Sequence, residues 1–260
     1  MTDFIETPLT GGNINTVVRV GNTVRRHMSR HSLTHHRLLS HLHANGFGAA
    51  PQVLGIDSKG REMLTFIEGQ TTFPSDMWQS NAALVASAQM LRGFHDATAG
   101  FDTKGASWAL VHPDISQHEV ICHNDFAPYN MVFTQSVPTA ILDFDLCGPG
   151  PRLRDLAYLA YWMAPLSFAD ETLAPVTRAQ AAQDYPRLRA LCAAYGETDM
   201  QNLLTWVQTV LQHMGDFAAM EQVLGKDTAK RLVTEGHLTH WQTEAAAFET
   251  ALPQLRIDLN

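Results

Sequence analysis

Residues 120–145 constrain the fold more than any other stretch. Three apolar pieces there, 120–122, 131–133 and 139–143, are each the length of one short strand. Between them run His123-Asn124-Asp125-Phe126-Ala127-Pro128-Tyr129-Asn130 and Leu142-Asp143-Phe144-Asp145. Polar groups set this closely among β-branched and aromatic neighbours belong in tight connections at strand ends, because a strand interior would bury them without partners. Such a loop needs a large scaffold. The chain, 260 residues with 45% hydrophobic side chains, is long enough to build one without disulfide or metal staples.

The order of these polar residues names a chemistry. Phosphoryl transfer asks for little covalent work from a protein: one carboxylate orients and deprotonates the attacking hydroxyl, while an Asn and a second Asp hold Mg²⁺ against the phosphates. Asp125, Asn130 and Asp143 occur in that order and at kinase-like spacing. Asp and Asn beside Pro128 could also cap turns, their commonest use in loops. Three such residues in one register, each next to a strand-like piece, favour the catalytic reading.

The flanking sequence divides in two. Around Gly21 the pieces 15–20 and 22–26, rich in Val17, Val18, Val20 and Val24, predict a hairpin. Leu33, Leu38, Leu39 and Leu42 predict a short helix over 32–45, capped by Ser32 and closed by Gly46, followed by strands at 52–56 and 62–67. Beyond Gly69 the pattern turns helical. A helix capped by Ser80 carries Leu84, Ala88, Leu91 and His95 on one face; the next, 153–164, is apolar all round; 203–214 and 232–247 follow. The expectation is an α+β chain with a small antiparallel β-rich N-lobe over 1–67 and a larger, mainly helical C-lobe over 68–260.

Composition excludes several classes. With 26 acidic against 18 basic side chains the net charge is −8, which disfavours nucleic acid and anionic membrane surfaces as partners. Three cysteines without CxxC spacing suit neither a disulfide framework nor a zinc site. The apolar runs are too short to cross a bilayer, and Asp3 and Glu6 stand where an export signal carries basic residues, so a cytoplasmic protein is expected. His27, His31 and His35 share helical i, i+4 spacing that could bind metal, but no carboxylate or cysteine accompanies them, and a solvated polar face is expected.

Taken together, the sequence resembles the aminoglycoside phosphotransferase family, small-molecule kinases related to choline kinase and homoserine kinase. The resemblance covers nearly the whole chain. It rests on Gly11-Gly12-Asn13-Ile14-Asn15 with the valines that follow, on Leu64-Thr65-Phe66-Ile67-Glu68-Gly69, on the His123 to Asn130 loop, and on Asp143 and Asp145 continuing to Arg154-Asp155-Leu156-Ala157. It implies a bilobal protein-kinase-like fold. It also implies Mg²⁺-dependent transfer of the γ-phosphoryl group of ATP, or of GTP, to a hydroxyl of a small molecule. Gly11, Gly12, Asn13 and Asn15 would form the turn over the phosphates, where glycines admit backbone N–H groups, though an ordinary hairpin turn uses the same residues. Thr65, Phe66 and Ile67 would form the hinge that pairs with the purine, although a plain buried strand explains them equally well. Asp125 would be the base, Asn130 and Asp143 the metal ligands, and Asp145 either a further ligand or an acceptor behind them. His123 and Asp155 would brace the loop.

Two departures from the family stand out. The third strand carries Arg25 and Arg26 where relatives place a phosphate-binding Lys, and Arg25 is the first candidate. No acid occurs between residues 27 and 56, so the helix lacks the usual Glu partner, and His35 or His36 takes its approximate place. That absence admits an alternative, a catalytically inactive nucleotide- or ligand-binding module. On the acceptor side, 1–67 holds 7 basic and 4 acidic side chains, leaving 11 and 22 beyond it. This balance suits an anionic cofactor above and a cationic acceptor below, met by acids such as Asp170, Glu171, Asp216 and Glu221.

Overall fold

Short β-branched runs joined by a glycine turn build the first sheet. The computed structural model describes residues 5–9 and 17–260. Strands β1 (Thr7–Pro8), β2 (Val18–Val20), β3 (Thr23–His27), β4 (Val53–Ile56) and β5 (Arg61–Thr65) form one antiparallel sheet in the order β1-β2-β3-β5-β4. The β2–β3 turn uses Gly21 at φ 59°, a left-handed conformation that glycine adopts without penalty. The register pairs Val24 with Leu64 and Arg26 with Glu62. Because side chains alternate along a strand, these four share one face.

That face turns toward α1 (Ser32–Ala44), which buries Leu38, Leu39 and Leu42. The helix departs from expectation in three respects. Its N-cap is His31, while the Ser32 hydroxyl accepts the Ser29 amide at 2.9 Å. Leu33 is exposed rather than on the apolar face. Of the three histidines expected on one solvated helix face, His27 ends β3 and is exposed, while His31 at the N-cap and His35 on the inward face of α1 are buried.

A narrow connection joins the sheet to the helical part. Gln70 and Phe133 exchange backbone hydrogen bonds of 2.9 and 2.7 Å. Gly69 makes this approach possible: its φ is +149°, and a Cβ there would lie 2.4 Å from Val132 Cγ1 and 2.8 Å from the Phe133 carbonyl oxygen. Next comes α2 (Asn81–Thr98), capped as expected by Ser80, whose Oγ accepts the Ala83 amide at 3.1 Å.

The loop segment itself is carried on β6 (Val120–Cys122), β7 (Met131–Thr134), β8 (Val137–Ile141) and β9 (Gly148–Gly150), paired β6 with β9 and β7 with β8. Then α3 (Arg152–Met163) runs through the interior with Leu156 to Tyr161 all buried, as its all-round apolar composition requires. The remaining helices are α4 (Leu173–Ala181), α5 (Pro186–Tyr195), α6 (Met200–Gly215), α7 (Phe217–Leu224), α8 (Lys226–Thr234) and α9 (His237–Asp258). One hydrophobic core runs from Leu38 and Leu64 through Phe94, Phe126 and Ile141 to Phe248 and Leu259. No described helix is long and apolar enough to cross a membrane.

Candidate active site

The loop after β6 is held by a single buried carboxylate. Asp155, on the first turn of α3 and 1% exposed, accepts the His123 amide at 2.6 Å through Oδ2 and the Asn124 amide at 2.8 Å through Oδ1. His95 of α2 lies 3.0 Å from the same Oδ2. Burial alone would raise the Asp155 pKa, but the His95 hydrogen bond and the charges and amides around it bring it below the ordinary value. Asn124 takes φ 66°, a left-handed conformation Asn tolerates better than most residues, and its side chain donates to the Leu146 carbonyl at 2.7 Å. His123 sits 3.0 Å from the Leu142 carbonyl and packs on Phe144, with burial pushing its pKa down to about 4. It is a neutral brace in this arrangement.

Held this way, the loop places Asp125 where three groups meet. Asn130, at the end of a short turn over Pro128–Asn130, donates from Nδ2 to Asp125 Oδ2 at 2.8 Å and to its carbonyl at 3.0 Å. Tyr129 donates its hydroxyl to Asp125 Oδ1 and meets the Tyr158 hydroxyl at 2.7 Å. Burial raises the Asp125 carboxyl to about 6 against the opposing pull of the Tyr129 donor, and the Asp143 charge adds to the rise. A carboxyl poised near neutrality with its proton-accepting edge oriented by two donors has the properties of a general base.

The β7–β8 hairpin brings the second acid alongside. The Leu142 amide donates to the Asn130 carbonyl at 2.8 Å, so Asp143 follows directly beside Asn130. Asp143 adopts φ 60° and keeps 52% of its side chain exposed. Withdrawal from bulk water, then the neighbouring Asp145 carboxylate, raise its pKa. With Nδ2 of Asn130 spent on Asp125, its Oδ1 remains as an acceptor. An amide oxygen beside a pair of mutually repelling carboxylates is a hard-oxygen donor set that fits Mg²⁺.

Arg26 closes the other side of this cluster. It donates from Nε to Glu62 Oε1 at 2.5 Å, from Nη2 to Asp145 Oδ1 at 2.8 Å and from Nη1 to Asp145 Oδ2 at 3.3 Å, and lies 3.7 Å from Asp143. Glu62, 1% exposed, also meets His36 Nε2 at 2.7 Å through its other oxygen. His35 Nδ1 stands 3.8 Å from Asp145, and burial lowers its pKa to about 4. An arginine–glutamate pair therefore does form here, with the glutamate supplied by the neighbouring strand instead of the helix.

This geometry corrects the first choice of arginine. Arg25 lies on the opposite face of β3, 3.7 Å from Asp57, and Arg26 reaches the acids. The alternation of β3 could have told them apart, since Arg26 shares the inward face of Val24. Asp145 is engaged by Arg26 through both oxygens. Gly11, Gly12, Asn13 and Asn15 lie outside the described residues. At the hinge the Thr65 amide donates to Gln52 and the Phe66 amide to Asn22, both at 2.9 Å, and the Arg19 guanidinium stacks 3.7 Å from the Phe66 ring centroid. Ile67 makes no backbone hydrogen bond among the described residues. Of the acids expected to meet a cationic acceptor, Asp170 and Asp216 are occupied by backbone amides: Asp170 Oδ1 accepts the Thr172 and Leu173 amides in the turn before α4, and Asp216, the N-cap of α7, accepts the Ala218 and Ala219 amides. Glu62, Tyr129 and Tyr158 are site residues that sequence reasoning missed. Glu62 alone carried a signal, an acid in the inward register of Leu64.

Comparison with known proteins follows the same lines. The phosphotransferase enzyme family matches residues 102–191, the span that holds Asp125, Asn130, Asp143 and Asp155. The chain is 36% identical over 194 residues to the trifolitoxin immunity protein of Rhizobium leguminosarum bv. trifolii, covering 72% of this chain and 73% of that protein. Among solved structures it is similar to a choline/ethanolamine kinase family protein from Mesorhizobium loti, with TM-score 0.59, 16% identity and coverage of 97% and 92% of the two chains. It is similar also to the GDP complex of aminoglycoside 2'-phosphotransferase-IIIa, at 0.61, 16%, and 93% and 92%. A Plasmodium vivax ethanolamine kinase gives 0.63, 12%, and 98% and 84%. The chain belongs to the phosphotransferase enzyme family and has the kinase-like fold of aminoglycoside phosphotransferases and choline/ethanolamine kinases.

Proposed function

We propose that this protein transfers the γ-phosphoryl group of ATP or GTP to a hydroxyl of a small molecule. The observation that carries the reading is the clustering of Asp125 with Asn130 and of Asp143 and Asp145 with Arg26 around one loop and the hairpin that follows it. Asp125 accepts the hydroxyl proton while the new O–P bond forms; the bond from Pγ to the β-phosphate oxygen breaks, and the nucleoside diphosphate leaves with that electron pair. Asn130 Oδ1 and Asp143 would hold Mg²⁺, which when bound neutralises phosphate charge. Arg26, whose three nitrogens are bonded to Glu62 and Asp145, would offset the negative charge that the acids bring to the phosphate side of the site. The Ile67 backbone, without a hydrogen bond among the described residues, suits a purine edge, with Thr65 and Phe66 beside it. On this reading 1–67 holds the nucleotide and 68–260 the acceptor.

A thermal-shift titration tests it. ATP or GTP with Mg²⁺ should raise the melting temperature of the wild type, and Asp143→Ala should lose the magnesium-dependent part. No shift from a folded sample with either nucleotide would remove the reading and leave a ligand-binding module without transfer.

A second reading concerns the purpose of the reaction. The 36% identical relative is named for immunity to trifolitoxin, so transfer to a hydroxyl of a toxic compound is a coherent role. Expression in toxin-sensitive cells, wild type against Asp125→Asn, tests it: protection by the wild type alone supports the role, and equal protection by both refutes it.

A further inference from the structure

Helix α3 presents Arg154, Tyr158 and Trp162 at i, i+4 and i+8, on one face. That face looks onto the catalytic loop. Arg154 Nε donates to Asn124 Oδ1 at 2.5 Å, the Tyr158 hydroxyl meets that of Tyr129 at 2.7 Å, and the Trp162 ring stands edge-on to Tyr129 with centroids 5.7 Å apart. Trp241 of α9 adds a further wall, 6.2 Å from Tyr158 and 6.4 Å from Trp162. Arg154, Trp162 and Trp241 are each half-buried, and Tyr129 is exposed. The approach to Asp125 from α3 is thus lined by aromatic rings with one guanidinium among them.

Arg154 is under-used where it stands. Its bond to Asn124 takes Nε alone; its two amino nitrogens find no hydrogen-bond acceptor, and no carboxylate forms an ion pair with it among the described residues. A guanidinium offers five donors, and the amino nitrogens of Arg154 are not among the buried atoms left without a partner, so they reach solvent and are free to meet a ligand. Burial lowers its pKa, and the charges of Asp155 and Asp125 and the Tyr158 hydroxyl act in the other direction. His213 of α6 is close enough to feel the Arg154 charge: burial first, then that charge, push its imidazole down to about 4, against the pull of Asp216. Its Nε2 is buried without a partner.

Resting on the phosphotransferase reading, we propose that the acceptor is an anionic hydroxy compound with a flat apolar body, whose carboxylate pairs with Arg154 while its hydroxyl reaches Asp125. A planar guanidinium grips a carboxylate through two parallel hydrogen bonds, and the rings of Tyr129, Trp162 and Trp241 supply apolar surface for the rest. This assignment replaces the cationic acceptor expected from net charge. Charge summed over a lobe says little about one site, and two of the acids that would have met an ammonium group are engaged by backbone amides instead.

The test uses 3-phenyllactate, which carries a ring, a hydroxyl and a carboxylate, against 3-phenyllactamide, which differs only in lacking the charge. Quenching of tryptophan fluorescence in the full-length protein reads occupancy, because Trp162 packs against Tyr129 and Trp241 against Tyr158. The wild type should bind the acid at least about tenfold more tightly than the amide. Arg154→Gln should bring the ratio to about one while its melting temperature shows it folded, and Arg154→Lys should restore part of the preference. Equal binding of acid and amide by the wild type, no binding of the acid up to about 10 mM, or a preference that survives in Arg154→Gln would overturn the proposal. Binding is read without turnover, so the two readings separate. Acid-selective binding in a protein that transfers no phosphoryl group keeps the anion site and removes the transferase. Transfer to neutral alcohols with no acid preference does the reverse.

Discussion

Arg26 of β3 and Glu62 of β5 sit directly opposite each other in the sheet and are joined by a 2.5 Å hydrogen bond, with Glu62 1% exposed. Removing one side leaves a buried charge uncompensated. Arg26→Met should therefore destabilise the protein by about 3–5 kcal/mol in urea unfolding. Adding Glu62→Leu should recover most of that loss, since an apolar pair can replace a buried ion pair, while nucleotide binding stays impaired in both variants. A double variant as unstable as the single one would show that the uncompensated Glu62 charge is not the cause.

Asp155 accepts two loop amides and faces His95 from the protein interior. Asp155→Asn should cost on the order of 2–3 kcal/mol at neutral pH and reduce activity by loosening the loop. The native pKa lies below the ordinary value, so the unfolded chain binds the proton more readily than the native one. The carboxylate's contribution is fully present above about pH 4 and is lost as pH falls below that toward the native pKa. Acid unfolding curves should accordingly be shallower for Asp155→Asn below about pH 4. Parallel acid limbs would contradict this.

Gly69→Ala forces a side chain against Val132 and the Phe133 carbonyl at a backbone conformation L-residues avoid. The Gln70–Phe133 bridge must then open. A loss of about 2 kcal/mol or more in chemical unfolding is expected, with hydrogen exchange faster at the Gln70 and Phe133 amides. Wild-type protection at those amides would count against this account of the hinge.

Tyr129→Phe removes one of the donors that hold the Asp125 carboxyl down and in place. A hydrogen bond to a charged group is worth about 1.5–3 kcal/mol, so kcat should fall about tenfold or more. The nucleotide KM should be unchanged, because Tyr129 stands on the acceptor side. A change in nucleotide KM alone would move Tyr129 out of that role.

How much was legible in the sequence depended on whether the signal was local. The hairpin around Gly21, the Ser80 cap and the buried α3 follow from residue type and periodicity within a few positions. So does the order Asp125, Asn130, Asp143, because one loop and one hairpin carry all three. Glu62 was missed because it meets Arg26 across strands 36 residues apart in sequence, and the missing helix acid drew attention to α1. The choice between Arg25 and Arg26 turned on strand phase, which Val24 and Leu64 together specify. Tyr158 and Trp162 read as core because α3 is apolar all round; only the fold shows which of its faces meets the loop. Helices α4, α5, α7 and α8 are only eight to ten residues long and follow one another closely, so the sequence reading merged them into a helical remainder.

The central claim is that Asp125 drives phosphoryl transfer at this cluster. Its most direct test is the fate of the γ-phosphate label of ATP and GTP, with Mg²⁺, in the presence of hydroxylated acids, amines and sugars. The wild type should move the label onto an acceptor, and Asp125→Asn should slow that step by about a hundredfold to ten-thousandfold while still binding the magnesium nucleotide. A wild-type protein that binds magnesium nucleotide yet leaves the label on it, or an Asp125→Asn variant as fast as the wild type, would contradict the account.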